Sequence, residues 1–406
     1  MKQETQPHKL PAGWQEVELG EILESIPNGT TAAQNKDGKG YRVTRIETIA
    51  EAKIDLKRTA FVELDNKNFD KFKLKEGDIL FSHINSTPHI GKTAIYTPDL
   101  GVLVHGMNLL RLSPKKEMVF PGYLLYLLKS KPILAYFQTR CKKSVNQSSL
   151  NSSFIKLLKI PLPPLPIQKK IVSILEKAEK LKQKRGEADK KTAEYLQSVF
   201  YEMFFKDKFE MKSLKDVCNE IQNGFAFGQF NEDNEGLIHI RPFNISEEGN
   251  LTFNQIKCIP QKELKSDKYL LGFGDVIINT TNSAELVGKT AIFNSNKKCS
   301  FSNHMTKLRI KKEIISSYYL WFILNHYWKS GTFKSLTKSW VNQVGIDSSL
   351  LKQIQIPLPP LPLQQKFAKI VEKVEKMKEK QKESKQKIDE LFDVLMQKAF
   401  RGELVR

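Results

Sequence analysis

Ile160-Pro161-Leu162-Pro163-Pro164-Leu165-Pro166 returns unchanged as Ile356-Pro357-Leu358-Pro359-Pro360-Leu361-Pro362, an offset of 356 − 160 = 196 residues. Four prolines in each copy fix φ and remove backbone donors, so the stretch suits neither a helix interior nor a central strand. It predicts a stiff extended strut whose last proline lies in the first turn of a helix. Because this joint occurs twice, we expect a chain built from two equivalent units.

The repeat extends well beyond the proline stretch. Asn28-Gly29 matches Asn223-Gly224, a turn signal in both copies. A Gly-Asp pair opens an apolar strand at 77–81 and again at 274–278, and the segments 91–95 and 288–292 both read Gly-Lys-Thr-Ala-Ile. The sequences between these anchors differ freely. We therefore predict two domains of one mixed α+β fold whose frameworks agree while their surface loops diverge.

Each strut is followed by a long heptad pattern of apolar residues. The predicted seam comprises Ile171, Ile174, Ala178, Leu181, Ala188, Tyr195 and Val199 in the first helix, and Leu363, Phe367, Ile370, Val374, Met377, Ile388, Leu391 and Leu395 in the second. Polar residues take core positions in the middle of both seams, namely Arg185, Thr192, Gln381 and Ser384. Polar seam residues fix register at some cost in stability, and Gly186 is a candidate kink.

The two helices are expected to run antiparallel. About 38 residues at 1.5 Å each make a rod of roughly 57 Å, whereas a domain of about 150 residues is only about 40 Å across. Parallel pairing would require the second domain to bridge the whole rod. The predicted fold is thus two similar α+β domains, 1–159 and 207–355, separated by an antiparallel two-helix coiled coil with a pseudo-two-fold repeat. The first proline strut and its helix span residues 160–206, and the second strut and helix span residues 356–406.

Composition indicates a soluble protein with an anionic partner. The net charge is +20, of which each strut-helix segment carries +4, so that +12 remains on the two domains (20 − 4 − 4). Such charge favours nucleic acid over a membrane surface or an acidic protein. The polar N-terminus and the lack of a long apolar run predict a cytoplasmic protein. The four cysteines, Cys141, Cys218, Cys258 and Cys299, lie far apart, which argues against a disulfide framework or a zinc site.

The search for catalytic motifs finds no HExxH, no clustered Cys/His and no Walker P-loop, so the pattern indicates a reader of nucleic acid. The loops instead carry side chains that can bind DNA. Asn and Gln can hydrogen-bond to adenine, Arg can hydrogen-bond to guanine, and Lys, Ser and Thr can bind phosphate. In the first domain the predicted DNA contacts are Asn28, Arg45, Ser82, His83, Asn85, Ser86, Lys92, Thr93, Arg111, Lys142, Lys143, Asn146 and Gln147. In the second they are Asn223, Arg241, Asn279, Thr280, Asn282, Lys289, Thr290, Arg309, Lys338, Trp340, Asn342 and Gln343.

Two variable domains, each followed by a Pro-Leu-Pro-Pro-Leu-Pro strut, a glutamine (Gln168 or Gln364) and a long helix, resemble the specificity subunit of type I restriction–modification systems. The final segment, Lys398-Ala399-Phe400-Arg401-Gly402-Glu403-Leu404, supports the resemblance, which covers essentially the whole chain. The resemblance implies target recognition domains that each read one half of a split, asymmetric DNA sequence. It also implies helices that act as a ruler between the halves.

The resemblance further implies partners and cofactors. Two modification subunits would methylate adenine with S-adenosylmethionine, and two restriction subunits would translocate and cut DNA with ATP and Mg²⁺. No cofactor, metal or catalytic residue is expected on this chain. Two other hypotheses stay open at this point. One is a stand-alone DNA-modifying enzyme with an unrecognised site, and the other is a coiled-coil scaffold that binds an acidic protein.

Overall fold

The computed structural model describes residues 10–143, 147–230, 235–336, 338–340 and 343–405, with backbone alone at 143, 338–340 and 343. The chain forms two compact units. The first comprises Met1–Glu187 and Lys382–Arg406, and the second comprises Ala188–Gln381. Two long helices contribute one part to each unit, α5 (Leu165–Phe204) and α10 (Leu361–Arg401).

The strands of the first unit are β1 (Gln15–Glu18), β2 (Leu23–Ser25), β3 (Gln34–Asn35), β4 (Tyr41–Val43), β5 (Ala60–Val62), β6 (Ile79–Ser82), β7 (Ile84–Asn85), β8 (Thr93–Ile95), β9 (Leu109–Pro114), β10 (Lys142–Lys143), β11 (Ser148–Ser149) and β12 (Lys159–Leu162). Its shorter helices are α1 (Asn66–Phe72), α2 (Pro121–Lys129), α3 (Lys131–Arg140) and α4 (Ser152–Lys156). Its hydrophobic core is formed by residues of the four-stranded sheet β2-β9-β6-β8, of α2 and α3, and of the first part of α5.

The strands of the second unit are β13 (Met211–Ser213), β14 (Cys218–Asn223), β15 (Leu237–Ile240), β16 (Cys258–Ile259), β17 (Val276–Asn279), β18 (Thr281–Asn282), β19 (Thr290–Ile292), β20 (Cys299–Phe301), β21 (Met305–Ile310), β22 (Lys338–Trp340), β23 (Gln343–Gly345) and β24 (Gln355–Pro357). Its shorter helices are α6 (Leu214–Val217), α7 (Ser317–Lys329), α8 (Thr332–Leu336) and α9 (Ser348–Gln353). Here α7 takes the place that α2 has in the first unit, with Tyr319 and Leu320 fully buried.

The duplication predicted from the sequence is confirmed by sheet topology. The first unit has sheets β1-β12, β2-β9-β6-β8 and β7-β11-β10, and the second has β13-β24, β14-β21-β17-β19 and β18-β23-β22 in the same arrangement. The fourth sheet differs. It is the antiparallel β3-β5-β4 in the first unit, whereas β16-β15-β20 in the second contains one parallel pair. Three of the four sheets therefore match between the two units, and the units differ in the remaining sheet as well as in their loops.

The proline joint is more than the extended strut that the sequence predicts. Its first half is β12, which pairs antiparallel with β1, and the second copy is β24, which pairs with β13. Two-stranded sheets have only edge strands, where a missing proline N–H is tolerated. Pro166 and Pro362 lie in the first turn of their helices, as predicted.

The glutamine after each strut closes the joint with three hydrogen bonds. Gln168 is fully buried, and its Oε1 accepts from the backbone N–H of Phe120 at 2.7 Å. Its Nε2 donates to the carbonyls of Met118 (3.0 Å) and Pro163 (2.8 Å). The Tyr123 hydroxyl donates to the Pro161 carbonyl at 2.8 Å. These side chains fix the direction in which the helix leaves the strut.

The second joint repeats this network at the same offset of 196 residues (364 − 168 = 196). Gln364 is again fully buried, accepts from the N–H of Ser316 at 2.9 Å, and donates to the carbonyls of Ile314 (3.3 Å) and Pro359 (2.7 Å). The Tyr319 hydroxyl donates to the Pro357 carbonyl at 2.6 Å. The two joints have equivalent hydrogen bonds at matched positions, so the sequence repeat corresponds to a repeated connection between domain and helix.

Within each unit the two long helices run antiparallel, as predicted. In the first unit Lys182 Nζ lies 2.8 Å from Asp389 Oδ1, while Ile171, earlier in α5, shares a core with Ala399, later in α10. In the second unit Gln381 Nε2 donates to Thr192 Oγ1 at 2.9 Å. The polar middle of the seam is thus confirmed for this pair.

Part of the predicted heptad seam is wrong. Leu181, Tyr195, Met377 and Leu391 are 43–52% exposed, whereas Leu175, Leu196, Phe200 and Val371 are buried. The physical reason is that the buried face of each helix also packs against its domain. Phe200, for example, lies 4.4 Å between ring centroids from Phe322 of α7. The predicted kink is not accompanied by a break, since α5 continues as α-helix through Gly186. Across the described ranges no helix is long and apolar enough to cross a membrane.

Candidate nucleic-acid interface

The two polar segments that the sequence predicts as DNA contacts meet in one small sheet in each unit. In the first unit this polar sheet is β7-β11-β10, in which Asn85 lies opposite Ser148 and Lys142 opposite Ser149. In the second it is β18-β23-β22, in which Asn282 lies opposite Val344 and Lys338 opposite Gly345. The fold therefore brings together residues that are about 60 positions apart in sequence and presents them on matched backbones.

The first polar sheet offers accessible hydrogen-bonding groups. Ser86, Lys142 and Gln147 are exposed, and Asn85 is half-buried. The Asn85 Oδ1 accepts from the Ser86 N–H at 2.8 Å, while its Nδ2 donates to Ser82 Oγ at 3.3 Å. The amide is thus oriented before any ligand arrives. Asn146 lies outside the described residues, and of Lys143 only the strand backbone is described.

The second polar sheet repeats this local geometry. Asn282 is half-buried, and its Oδ1 accepts from the Ser283 N–H at 2.8 Å, as Asn85 does from Ser86. Lys338, Trp340 and Gln343 belong to the sheet through their backbones, and Asn342 lies outside the described residues. The two sheets therefore share an Asn-Ser turn that begins their loops.

Seven predicted contact residues are buried, and their contact with DNA stays a prediction. They are Ser82, His83, Thr93, Asn279, Thr280, Lys289 and Thr290. Thr280 Oγ1, for instance, lies 3.2 Å from Thr306 Oγ1, and Asn223 Oδ1 accepts from that same Thr306 hydroxyl at 2.7 Å. Lys92 is half-buried and donates to the Ala50 carbonyl. Thr280, Asn223 and Lys92 are therefore hydrogen-bonded to groups of their own units.

Arg111 and Arg309 are engaged inside their units. Arg309 forms a bidentate pair with Asp275, with Nε–Oδ1 and Nη2–Oδ2 distances of 2.9 and 2.8 Å, and this hydrogen-bonded pairing raises its pKa. Arg111 donates to the carbonyls of Lys71 and Lys73 at 3.2 and 3.1 Å. Asp78 also lies 4.0 Å from Arg111, so the aspartate of each Gly-Asp turn faces the matched arginine of its unit.

Three histidines, His83, His105 and His239, are buried in the two units. Burial lowers the pKa of His83 to about 4 and that of His105 to about 3. His105 Nε2 lies 3.0 Å from the Leu109 carbonyl, in the strand beside Ser82. In the second unit burial lowers the pKa of His239 to about 4. The lowered pKa values favour the neutral form of all three rings at pH 7.

The remaining predicted contacts are accessible. Asn28 and Asn223 are exposed at matched turns, and Arg45 and Arg241 are half-buried at the ends of matched segments. Sequence reasoning missed the aromatic groups beside Arg241. Its guanidinium carbon lies 5.0 Å from the ring centroid of Phe230 and 5.3 Å from that of Phe243. The run Arg241-Pro242-Phe243 was the available signal.

Comparison with known proteins gives a consistent result. The family model for the type I restriction modification DNA specificity domain matches residues 11–190 and again 206–390. The chain is similar to the putative type I restriction enzyme MjaX specificity subunit of Methanocaldococcus jannaschii, with 34% identity over 98% of this chain and 95% of the relative. It is also similar to the MjaVIII specificity subunit of the same organism, with 24% identity over 98% and 94%.

Solved structures share the fold. A chain from a study of complex assembly and conformational transition in the type I restriction–modification system aligns with a TM-score of 0.64 and 22% identity, covering 98% of this chain and 100% of that one. The type I restriction–modification S subunit from M. genitalium aligns with a TM-score of 0.57 and 14% identity, covering 97% and 98%.

Proposed function

Since this chain belongs to the type I restriction–modification DNA specificity family, we propose that it binds a bipartite, asymmetric DNA sequence, each unit reading one half. The family assignment makes it a specificity subunit, a DNA-recognition component without catalysis of its own. The stand-alone enzyme and the scaffold are set aside because of this family assignment, and not because catalytic motifs are missing.

One observation carries the bipartite proposal. The two units present polar sheets of the same topology, which share the Asn-Ser turn, a lysine (142 and 338) and a glutamine (147 and 343). Their side chains differ at other matched positions, such as Ser148 against Val344 and Ser149 against Gly345. Exposed Asn and Gln side chains can pair with adenine, and Lys can neutralise phosphate. A protein that recognises two different half-sites needs matching backbones in its two units and different side chains at some contact positions. The half-site centres would lie one or more turns of about 34 Å apart on the duplex.

We propose that the finer family roles also apply. Two modification subunits would dock on this chain and methylate adenine with S-adenosylmethionine, and two restriction subunits would join with ATP and Mg²⁺. The target adenine would be flipped out of the duplex into the modification subunit, because a stacked base cannot be reached. The long helices would set the spacing between the half-sites.

Mapping methylated adenines across the genome of the natural host tests the central proposal. We expect one split, asymmetric motif to be methylated in the parent strain, unmethylated after deletion of this gene, and methylated again after complementation. The proposal is wrong if the deletion leaves every methylated motif in place.

Shortening a helix tests the spacing role. Removal of four residues from either long helix takes out about one helical turn of 3.6 residues. We expect the variant to protect a different spacer length in a footprint while keeping both half-site sequences. Protection of the original spacer would refute the ruler.

A further inference from the structure

Arg45 and Arg241 occupy the same backbone frame in the two units. Their φ/ψ angles are −131°/171° and −127°/163°, and each precedes a 3-10 helix. Each backbone N–H donates to a side chain three residues later, Arg45 to Thr48 Oγ1 at 2.8 Å and Arg241 to Asn244 Oδ1 at 3.0 Å. The chain thus places an arginine at one defined point of both recognition domains.

The two side chains have different surroundings. Arg45 Nη1 lies 3.1 Å from Glu47 Oε1, in an ion pair that is open to solvent. Arg241 instead lies against the rings of Phe230 and Phe243, at 5.0 and 5.3 Å from their centroids. Within the described ranges the Arg241 guanidinium has no carboxylate partner and no hydrogen-bond acceptor.

The aromatic contacts hold Arg241 without covering it. Phe230 packs on the buried cluster of Phe225, Leu237 and Ile259, so its ring is anchored. Phe243 is 45% exposed and leaves the edge of the site open. Asn244, which holds the backbone of Arg241, is 1% exposed and donates to the carbonyls of Thr252 and Gln255, both at 3.1 Å. Backbone and side chain are therefore both oriented in advance.

We infer that Arg241 reads a guanine in the half-site bound by the second unit, with Phe230 and Phe243 holding its guanidinium for that contact. This inference rests on the proposed function. A planar guanidinium donates two parallel hydrogen bonds to O6 and N7 of guanine, and stacking on aromatic rings preserves the donors at its edge. A side chain that is already immobilised loses less rotamer freedom on binding.

The test uses the complex purified through a tag on the full chain from cells that contain it naturally, mixed with a pool of duplexes of random sequence. Bound duplexes are sequenced for the wild type and for Arg241→Lys, Phe243→Leu, Arg45→Ala and Lys297→Ala. Lys297 is the matched control, because it is an exposed cation 4.9 Å from the Phe253 ring centroid in the same unit. Thermal melting of each variant checks folding.

We expect the wild type to enrich a split motif with one guanine whose preference falls roughly 10- to 100-fold in Arg241→Lys, since lysine keeps the charge but lacks the planar fork. Phe243→Leu should weaken the same preference about two- to fivefold and melt like the wild type. Arg45→Ala and Lys297→Ala should leave that position unchanged.

The outcomes separate the inference from the function on which it rests. If the wild type enriches a split motif but Arg241→Lys and Phe243→Leu keep all its base preferences, the inference is wrong and the proposed function stands. The same holds if Arg241→Lys weakens binding equally for every sequence, because that result indicates a phosphate contact. If the wild type enriches no motif, the proposed function fails and the inference with it.

Discussion

The buried glutamine of the second joint provides the sharpest test of what holds a recognition unit on its helix. Replacing Gln364 by Leu keeps a side chain of similar size but removes one acceptor and two donor contacts, at 2.9, 3.3 and 2.7 Å. The N–H of Ser316 and the carbonyls of Ile314 and Pro359 lose their partners in a fully buried site. At about 1 kcal/mol for each net hydrogen bond, the expected loss in the free energy of unfolding is about 3 kcal/mol.

Urea unfolding of the full chain, followed by circular dichroism, measures this loss. With an m-value of about 2–3 kcal/mol/M, the midpoint of the second unit should fall by about 1–1.5 M. Gln365→Leu is the matched control, because Gln365 is exposed on the next position of the same helix and should change stability by less than about 0.5 kcal/mol. Equal midpoints for the two variants would refute the role assigned to the joint.

Three further substitutions test other parts of the first unit. Gly186→Ala should raise stability by about 1 kcal/mol in thermal melting, since Gly186 lies in a helix and an added Cβ meets nothing within 4 Å; a fall would contradict the open site. Gly402→Ala should cost about 1–3 kcal/mol, because its φ is +76° and the Cβ would lie 2.2 Å from Pro11 Cγ; unchanged melting would contradict this contact. The depressed pKa of His83, about 4 against 6.5 when unfolded, means that stability is fully present above pH 6.5 and declines as pH falls towards 4, by about 2 kcal/mol at pH 5. His83→Gln should remove that share of the loss between pH 7 and pH 5 in urea titrations, and an unchanged slope would contradict a neutral buried ring.

The duplicated framework was predictable because its signals are local and occur twice. The proline stretch, the Gly-Asp turns and the glutamine after each strut carry their physical constraints in their own residue types. The pairing of β12 with β1 was not predictable in the same way, since it joins Ile160 to Val17 across most of the first unit. Nothing in either segment alone specifies its partner strand.

The helical seam was predictable in direction and only partly in detail. A heptad pattern assumes that a helix has one partner, and on that assumption Leu181 and Tyr195 were assigned to the seam. In the structure α5 packs against a partner helix and a domain together, so Phe200 is buried while Tyr195 is 52% exposed. Periodicity cannot distinguish these two packing partners.

The candidate site was also predictable from the sequence only in part. The sequence singled out both polar segments because each has a counterpart at a matched position of the repeat. It did not indicate that the two segments of one unit pair in a single sheet, since they lie about 60 residues apart. It could not distinguish an arginine that reaches outward from one that is paired inside, and Arg309 proved to be held by Asp275 at 2.8 and 2.9 Å. That distinction depends on long-range neighbours, which only the folded chain supplies.

The two joints have a consequence for how such a protein can change over generations. Among the described residues, the side chain of Gln168 hydrogen-bonds to residues 118, 120 and 163, and that of Gln364 to residues 314, 316 and 359. The hydrogen bonds at each joint therefore come from residues of the same unit. A lineage can change the loops of one unit, or acquire a different version of that unit, provided that these anchoring positions and the residues that pack against the long helices survive. New preferences can then arise by exchange of intact cassettes as well as by gradual substitution.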